Sequence, residues 1–510
     1  MAATPDALPT DPEDLRQYCA QLLTELGDKQ QLIDKLTHQL ALFRRYLYGR
    51  RSEQLDPAQL LLEFASWVQA QATDAAAPAV PTPAPPAPAP PRPGHGRTPL
   101  PALLPRRRVE HTLPEARCTC TACGTRLVKI GEETSEQLDY QPASLFVTEH
   151  VRFTYACQAC EGTVVTAERP AAPIEKGRPG PGLLAQVVTA KYADHLPLNR
   201  QAEIFARHGV PLARQTLCDW VAAAADLLTP LYEDLKAHVL TSKVIHTDDT
   251  VVPVLDRNRT DTREGRLWVY VGDGRPADLV YAYTADRTRA GPIAFLGDFC
   301  GYLQADAYAG YDAVYATGRV VEVACWAHAR RYFFDAKASD PARALPALGF
   351  IQQLYAVERE VKGANAETRR ARRGEQATPV LTRFRQWLDA QADLVLPKSP
   401  IGEAVGYARA QWTALTRYCE NGALAIDNNV SERALRTVVT GRNNWTFCGS
   451  DAGGHRAAIL YSLVATCKAH GIDPWAYLRD VLDRLPTHPN HRRAELLPRQ
   501  WKAAQPAKPA

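Results

Sequence analysis

Apolar positions near the start of the chain repeat with the period of a helix that needs a partner. Cys19, Leu26, Ile33, Leu40 and Leu47 fall seven residues apart, and Leu22, Lys29, Leu36 and Phe43 fill the positions three residues on. This is an a/d stripe over about four heptads, interrupted once by Lys29. Outside the stripe the helix is polar, so the spacing predicts a coiled coil that joins copies of the chain. One helix laid on the rest of the protein is the alternative. Residues 182–240 again carry helical periodicity. One helix is expected over 198–208, a breaker at Gly209-Val210-Pro211, and a second helix over 214–228. Helix, short turn and helix is compatible with helix-turn-helix DNA binding, although hairpins that only pack are commoner.

From Ser242 the period changes to two. Residues 243–254 read as a strand carrying adjacent carboxylates, Asp248 and Asp249. Residues 267–271 and 279–284 read as two further strands about the turn Gly272-Asp273-Gly274, which suggests an antiparallel meander. A helix is expected near 288–297, and a short strand over 301–306 ends in Asp306. Another strand over 320–325 precedes a helix bearing Trp326, His328, Arg330 and Arg331. This is the element order of the ribonuclease-H-like α/β fold. The stretch 341–420 looks helical throughout and reads as an insertion into it.

Composition sharpens the picture in three places. Of 39 prolines, 12 lie between Pro78 and Pro105, and Ala/Pro repeats of this kind form extended spacers without a core. Arg92, Arg97 and Arg106-Arg107-Arg108, within and at the end of the spacer, either track a DNA backbone or keep it solvated. Two C-x-x-C pairs, Cys120/Cys123 and Cys157/Cys160, have the spacing of a four-thiolate zinc site, because each knuckle turns both sulfurs toward one ion. Cys118 is a rival to Cys120. The net charge is only +4, but Lys and Arg (12) outnumber Asp and Glu (7) from Asp427 onward, which suits a phosphate-bearing partner. No apolar run is long enough for a membrane span. The N-terminus lacks the basic and apolar regions of a signal peptide. A soluble, intracellular protein of about three domains is expected.

The carboxylates carry the candidate chemistry. In a ribonuclease-H-like sheet the first and fourth strands are neighbours, so Asp248 and Asp306 can approach each other. Buried adjacent carboxylates repel unless a cation neutralises them, and Mg²⁺ is the natural hard cation for carboxylate and phosphate oxygens. A third acid is expected from Asp427-Asn428-Asn429-Val430-Ser431-Glu432. Glu432 is favoured, one turn inside a helix that Asp427 or a neighbouring Asn could cap, and Asp427 is its rival. Asp249 is the lesser rival of Asp248, since alternation sets it on the face opposite His246 and Thr250.

At these residues the chain resembles bacterial transposases of the insertion-sequence 66 family, within the Asp-Asp-Glu superfamily. The resemblance covers nearly the whole chain. It is carried by Tyr48-Gly49-Arg50-Arg51-Ser52-Glu53-Gln54-Leu55, both cysteine pairs, and Lys191-Tyr192-Ala193-Asp194-His195-Leu196-Pro197-Leu198. It continues through Gln304-Ala305-Asp306-Ala307-Tyr308-Ala309-Gly310-Tyr311, Cys325-Trp326-Ala327-His328-Ala329-Arg330-Arg331, the Asp427–Arg436 stretch, Gly441-Arg442 and Leu496-Leu497-Pro498. The chain departs from the family where it has Asp249 in place of the usual Glu, and Asn443 where a basic residue is common.

The resemblance implies DNA transposition. Asp248, Asp306 and Glu432 would bind two Mg²⁺ or Mn²⁺ ions, one activating water and one stabilising the leaving 3′-oxygen. The freed 3′-hydroxyl would then attack target DNA. His328, Arg330, Arg331, Arg433, Arg436 and Arg442 are candidates for orienting the acids or contacting DNA. The implied partners are element ends, target DNA, a second copy of the chain and small accessory proteins of the same element, in the bacterial cytoplasm and on the nucleoid. The expected layout is a coiled-coil helix over 1–70, an Ala/Pro-rich linker over 71–110 and a zinc-binding domain over 111–175. A helix-turn-helix-like segment over 176–240, a core over 241–480 with its insertion at 341–420, and a tail over 481–510 follow. The competing functions are a zinc-dependent DNA-binding regulator and a nuclease that cuts without joining.

Overall fold

The computed structural model describes residues 11–48, 145–148, 154–156, 164–166, 171–175, 177–256 and 258–505. The chain forms two compact units, residues 1–76 with 152–510, and residues 77–151. Of the second unit only the stretch 145–148, which has no regular secondary structure, is described. The proline spacer, Cys118 and the four candidate zinc ligands Cys120, Cys123, Cys157 and Cys160 lie outside the described residues.

Helix α1 (Pro12–Tyr48) has 37 residues and is about 55 Å long at helical rise. Leu22, Leu26, Ile33, Leu36 and Leu40 along it are between 41% and 64% exposed. Two short strands, β1 (Thr154–Ala156) and β2 (Val164–Thr166), pair antiparallel. Three helices follow: α2 (Pro181–Tyr192), α3 (Leu198–Arg207) and α4 (Arg214–Val239). Helix α4 runs well past the expected end at 228. Leu231, Leu235 and Val239 continue its apolar stripe and are at most 1% exposed. Their burial, about 1.5–3 kcal/mol per side chain, outweighs the cost of about 3 kcal/mol for Pro230 inside the helix.

The core is a mixed five-stranded sheet of order β5-β4-β3-β6-β7. Its strands are β3 (Val244–Val254), β4 (Arg263–Val271), β5 (Leu279–Thr284), β6 (Gly301–Gln304) and β7 (Val320–Val323). Strands β3, β4 and β5 are antiparallel, whereas β6 joins β3, and β7 joins β6, in parallel. Helix α5 (Ala290–Leu296) precedes β6, α6 (Asp312–Tyr315) precedes β7, and α7 (Trp326–Ala336) follows it. Strand β4 begins earlier than its apolar pattern suggested. Arg263 to Arg266 pair with the outer half of β3, and a Cβ at Gly265 would stand 2.6 Å from the Tyr283 hydroxyl. Strand β6 stops at Gln304, so Asp306 lies in the loop beyond it rather than at the strand's last position.

After α7 the chain is helical: α8 (Pro341–Glu360), α9 (Ala366–Arg372), α10 (Thr378–Ala392), α11 (Pro400–Ala410) and α12 (Trp412–Thr416). Helices α8 and α10 share an apolar cluster with α7 through Trp326, Phe333, Phe350, Phe384 and Trp387, and α11 and α12 join it through Val405 and Leu415. Arg373, fully buried, binds both Glu358 carboxylate oxygens (2.7 and 2.8 Å) and the carbonyls of Tyr418 (2.7 Å) and Leu424 (3.0 Å). A buried charge is tolerated only with such complete pairing.

The chain then returns to the sheet with α13 (Asn429–Trp445), α14 (Asp451–Ala469), α15 (Pro474–Arg484) and α16 (Pro498–Ala504). A second apolar cluster unites the sheet with α2, α4, α14 and α15. Among the described residues no helix is long and apolar enough to cross a membrane.

Candidate active site

Strand β3 is central in the sheet, and its successive side chains turn to opposite faces. His246, Asp248 and Thr250 face helix α13. His246 Nδ1 lies 3.2 Å from Asn428 Oδ1, and Arg442 donates to Thr250 Oγ1 at 3.3 Å and to the Val251 carbonyl. The charge of Glu432, in the first turn of α13, bears on Asp248. Thr247 and Asp249 turn the other way. Thr247 Oγ1 is 3.3 Å from the Tyr311 hydroxyl, and Asp249 accepts from Arg266 (3.2 Å) and Arg287 (3.0 Å).

Three acids from distant parts of the sequence thus share one neighbourhood. Asp248 comes from β3, Asp306 from the loop after β6, and Glu432 from α13. The Asp248 carboxyl is pushed up to about 7 by burial, with the charges of Asp306, Asp249 and Glu432 adding, against the hydrogen bond from the Asp249 amide. Asp306 is also raised, first by burial, while Arg287 and His328 oppose the rise and Asp249 adds to it. Asp306 is 24% and Glu432 31% exposed, so solvent and a ligand can reach both.

His328, in the first turn of α7, places Nε2 3.9 Å from Glu432 Oε1, and its Nδ1 is buried without a hydrogen-bond partner among the described residues. Arg330 is half-buried with its guanidinium 5.4 Å from the Phe334 ring, and its charge reaches Tyr355. Arg331, Arg433 and Arg436 are exposed. Arg442 is taken up by β3. Asp427 is engaged away from the three acids: it accepts from the Tyr355 hydroxyl (3.0 Å), the Asn429 side chain (2.7 Å) and the Asn429 amide (3.2 Å).

Two residues in this neighbourhood make contacts to the site that the sequence does not announce. Asn428 was read as a possible helix cap, yet its side chain makes no capping bond to α13. Instead its amide donates to the Thr247 carbonyl at 2.8 Å, and its backbone N–H reaches Cys325 Sγ at 3.1 Å. The Asp427-Asn428-Asn429 motif was the available signal. Arg287, in the turn after β5, touches Asp249 at 2.9 Å and Asp306 at 3.5 Å. Nothing in its local pattern marks it.

The donor set consists of carboxylate oxygens, which suit a hard cation such as Mg²⁺ or Mn²⁺. A cation would also offset the burial, and the lesser like-charge repulsion, that raise Asp248 and Asp306. The residues therefore fit such an ion. Among the described residues, however, no three His, Cys, Asp or Glu side chains are drawn together as a ready cage.

Comparison with known proteins agrees along the chain. Residues 176–456 match the model described as the transposase IS66 family, and residues 462–499 match the IS66 C-terminal element. Residues 117–161 match the zinc-finger binding domain of transposase IS66, and residues 35–109 match a model described as transposase C of IS166 homeodomain. Similar curated proteins include two from Sinorhizobium fredii (strain NBRC 101917 / NGR234), both described as uncharacterized. Protein y4hP is 36% identical over 91% of this chain and 88% of its own length. Protein y4jD is 34% identical over 95% and 98%.

Proposed function

This chain belongs to the IS66 family of transposases, and from that premise we propose that it cuts DNA at the ends of an insertion element and joins the 3′-hydroxyls to target DNA by metal-assisted phosphoryl transfer. One observation carries the reading: Asp248 and Asp306, on and beside neighbouring parallel strands, and Glu432 of α13 lie near enough for the charges of Asp306 and Glu432 to bear on Asp248. The sheet order and the sequence of strands and helices support a ribonuclease-H-like core for that site.

Asp248, Asp306 and Glu432 would hold the cations. Bound divalent cations supply an activated attacking oxygen and stabilise the leaving 3′-oxygen. His328 beside Glu432 orients that carboxylate from α7. Exposed Arg433 and Arg436, on the same helix as Glu432, are suited to phosphate contacts that set the register of the duplex. Hydrolysis leaves a 3′-hydroxyl and a 5′-phosphate. Attack of that hydroxyl on a target phosphodiester then forms one bond as it breaks another, and no protein atom is bonded to DNA.

The remaining parts have roles that follow from their chemistry. Cys120, Cys123, Cys157 and Cys160 would hold Zn²⁺ in a domain that binds element ends. The exposed stripe of α1 would pair two protomers as a coiled coil, because so much leucine surface is stable only when covered. Accessory proteins of the element would complete the assembly.

The test is a supercoiled plasmid carrying the element's ends, incubated with purified protein, accessory proteins and Mg²⁺. Wild type is expected to yield joined strands. Asp248→Ala, Asp306→Ala and Glu432→Gln are each expected to lower cleavage at least 10²-fold while sparing end binding. Nicks without joining would favour a nuclease. Binding without cleavage would favour a DNA-binding regulator, and loss of binding in all three variants would make the acids structural.

A further inference from the structure

We propose that Arg287 is the site's own cation, competing with the divalent ion for Asp306 and so setting how tightly the site takes metal. The inference deepens the function proposed above and rests on it.

Arg287 is held unequally by two carboxylates. Its Nη2 and Nε lie 2.9 and 3.0 Å from Asp249 Oδ1, but Nη2 reaches Asp306 Oδ2 only at 3.5 Å. Asp249 is 3% exposed and also bound by Arg266 at 3.2 Å. Asp306 is 24% exposed. The firm contact is therefore with the buried acid, and the loose contact is with the acid that a ligand can reach. The turn is anchored as well. The guanidinium lies 4.2 Å from the Tyr308 ring centre, within cation–π range, and the Tyr308 hydroxyl donates to the Arg287 carbonyl.

This arrangement is built for exchange. If an ion takes Asp306, Arg287 remains on Asp249, and no charge is left buried without a partner. Until then the guanidinium screens Asp306 and occupies one face of its carboxylate. That agrees with the lack of a ready three-ligand cage among the described residues.

The test is Mn²⁺ binding to full-length, zinc-loaded protein without DNA, read from the free Mn²⁺ electron paramagnetic resonance signal. Wild type is expected to bind, and Asp306→Asn to lose that binding. Arg287→Gln is expected to bind about tenfold more tightly, since a positive charge is removed a few ångströms from the ion. Arg287→Lys is expected to stay near wild type. If Arg287→Gln binds equally or more weakly while wild type and Asp306→Asn behave as stated, Arg287 is a prop and the proposal falls. If wild type and Asp306→Asn are indistinguishable, the metal reading of the site falls, and the proposal with it. Should Arg287→Gln not fold, Tyr308→Phe, which frees the Arg287 carbonyl, is expected to tighten binding about threefold. Unchanged or weaker binding in that variant would equally overturn the proposal.

Discussion

Asn428 commits its amide to β3, donating to the Thr247 carbonyl and meeting His246 with its oxygen. It is fully buried, and Ser431 also bonds its oxygen. This residue therefore fixes the start of α13, and with it Glu432, against the strand that carries Asp248. Truncation would leave a buried carbonyl unpaired, at a cost of about 1–3 kcal/mol. Asn428→Ala is expected to lower the urea midpoint accordingly and to lower strand cleavage more than end binding. Asn428→Asp keeps the shape but loses the donor and adds a negative charge near the acids. It is expected to be at least as damaging as Asn428→Ala; a mild effect of Asp alone would show that shape, not the hydrogen bond, positions the helix. The motif was visible in the sequence, but its use was not, because the partners lie far away in the chain.

At the scale of elements, β5 is an edge strand that the fold must cover. An uncovered edge leaves backbone donors and acceptors open to pairing with another chain. Helix α14 supplies the cover with two hydroxyls: the Tyr281 amide donates to Ser462 Oγ at 2.8 Å, and the Leu279 amide to Thr466 Oγ1 at 3.0 Å. Thr466 also donates back to the Leu279 carbonyl. Both side chains are fully buried. Ser462→Ala and Thr466→Val keep nearly the same volume, so their cost isolates the hydrogen bonds. Each is expected to destabilise by about 1–3 kcal/mol, and hydrogen exchange at Leu279 and Tyr281 should quicken in step. Exchange unchanged in both variants would show that the edge is protected by burial alone. The use of these small polar residues depends on the strand they meet, which the local sequence does not show.

For the whole molecule, the family assigns a zinc-finger domain to residues 117–161, and the proposed four-thiolate site lies there. Thiolate zinc sites contribute their binding energy directly to folding. Cys157→Ser with Cys160→Ser is expected to release one zinc per chain, measured by mass spectrometry of the metal, and to weaken binding to element ends by at least tenfold. Mn²⁺ binding at the acids should be unchanged. Full zinc retention would overturn the ligand assignment. Retained end binding after zinc loss would move DNA recognition to another part of the chain.

What the sequence determined by itself is what nearest neighbours decide. The helical periods of α1 and α2–α4, the switch to period two at Ser242 and the order of strands and helices follow from the spacing of apolar residues, which is local. The acids themselves were legible for the same reason, as short polar motifs at the ends and faces of predicted elements. Tertiary structure decided the rest. Strand pairing brought β6 beside β3, and packing laid α13 along the face that carries Asp248. Arg287 was invisible because its partners Asp249 and Asp306 reach it only through the pairing of separate strands. The end of α4 moved because buried leucines outweighed a proline. In each case the deciding energy came from contacts between residues distant in sequence.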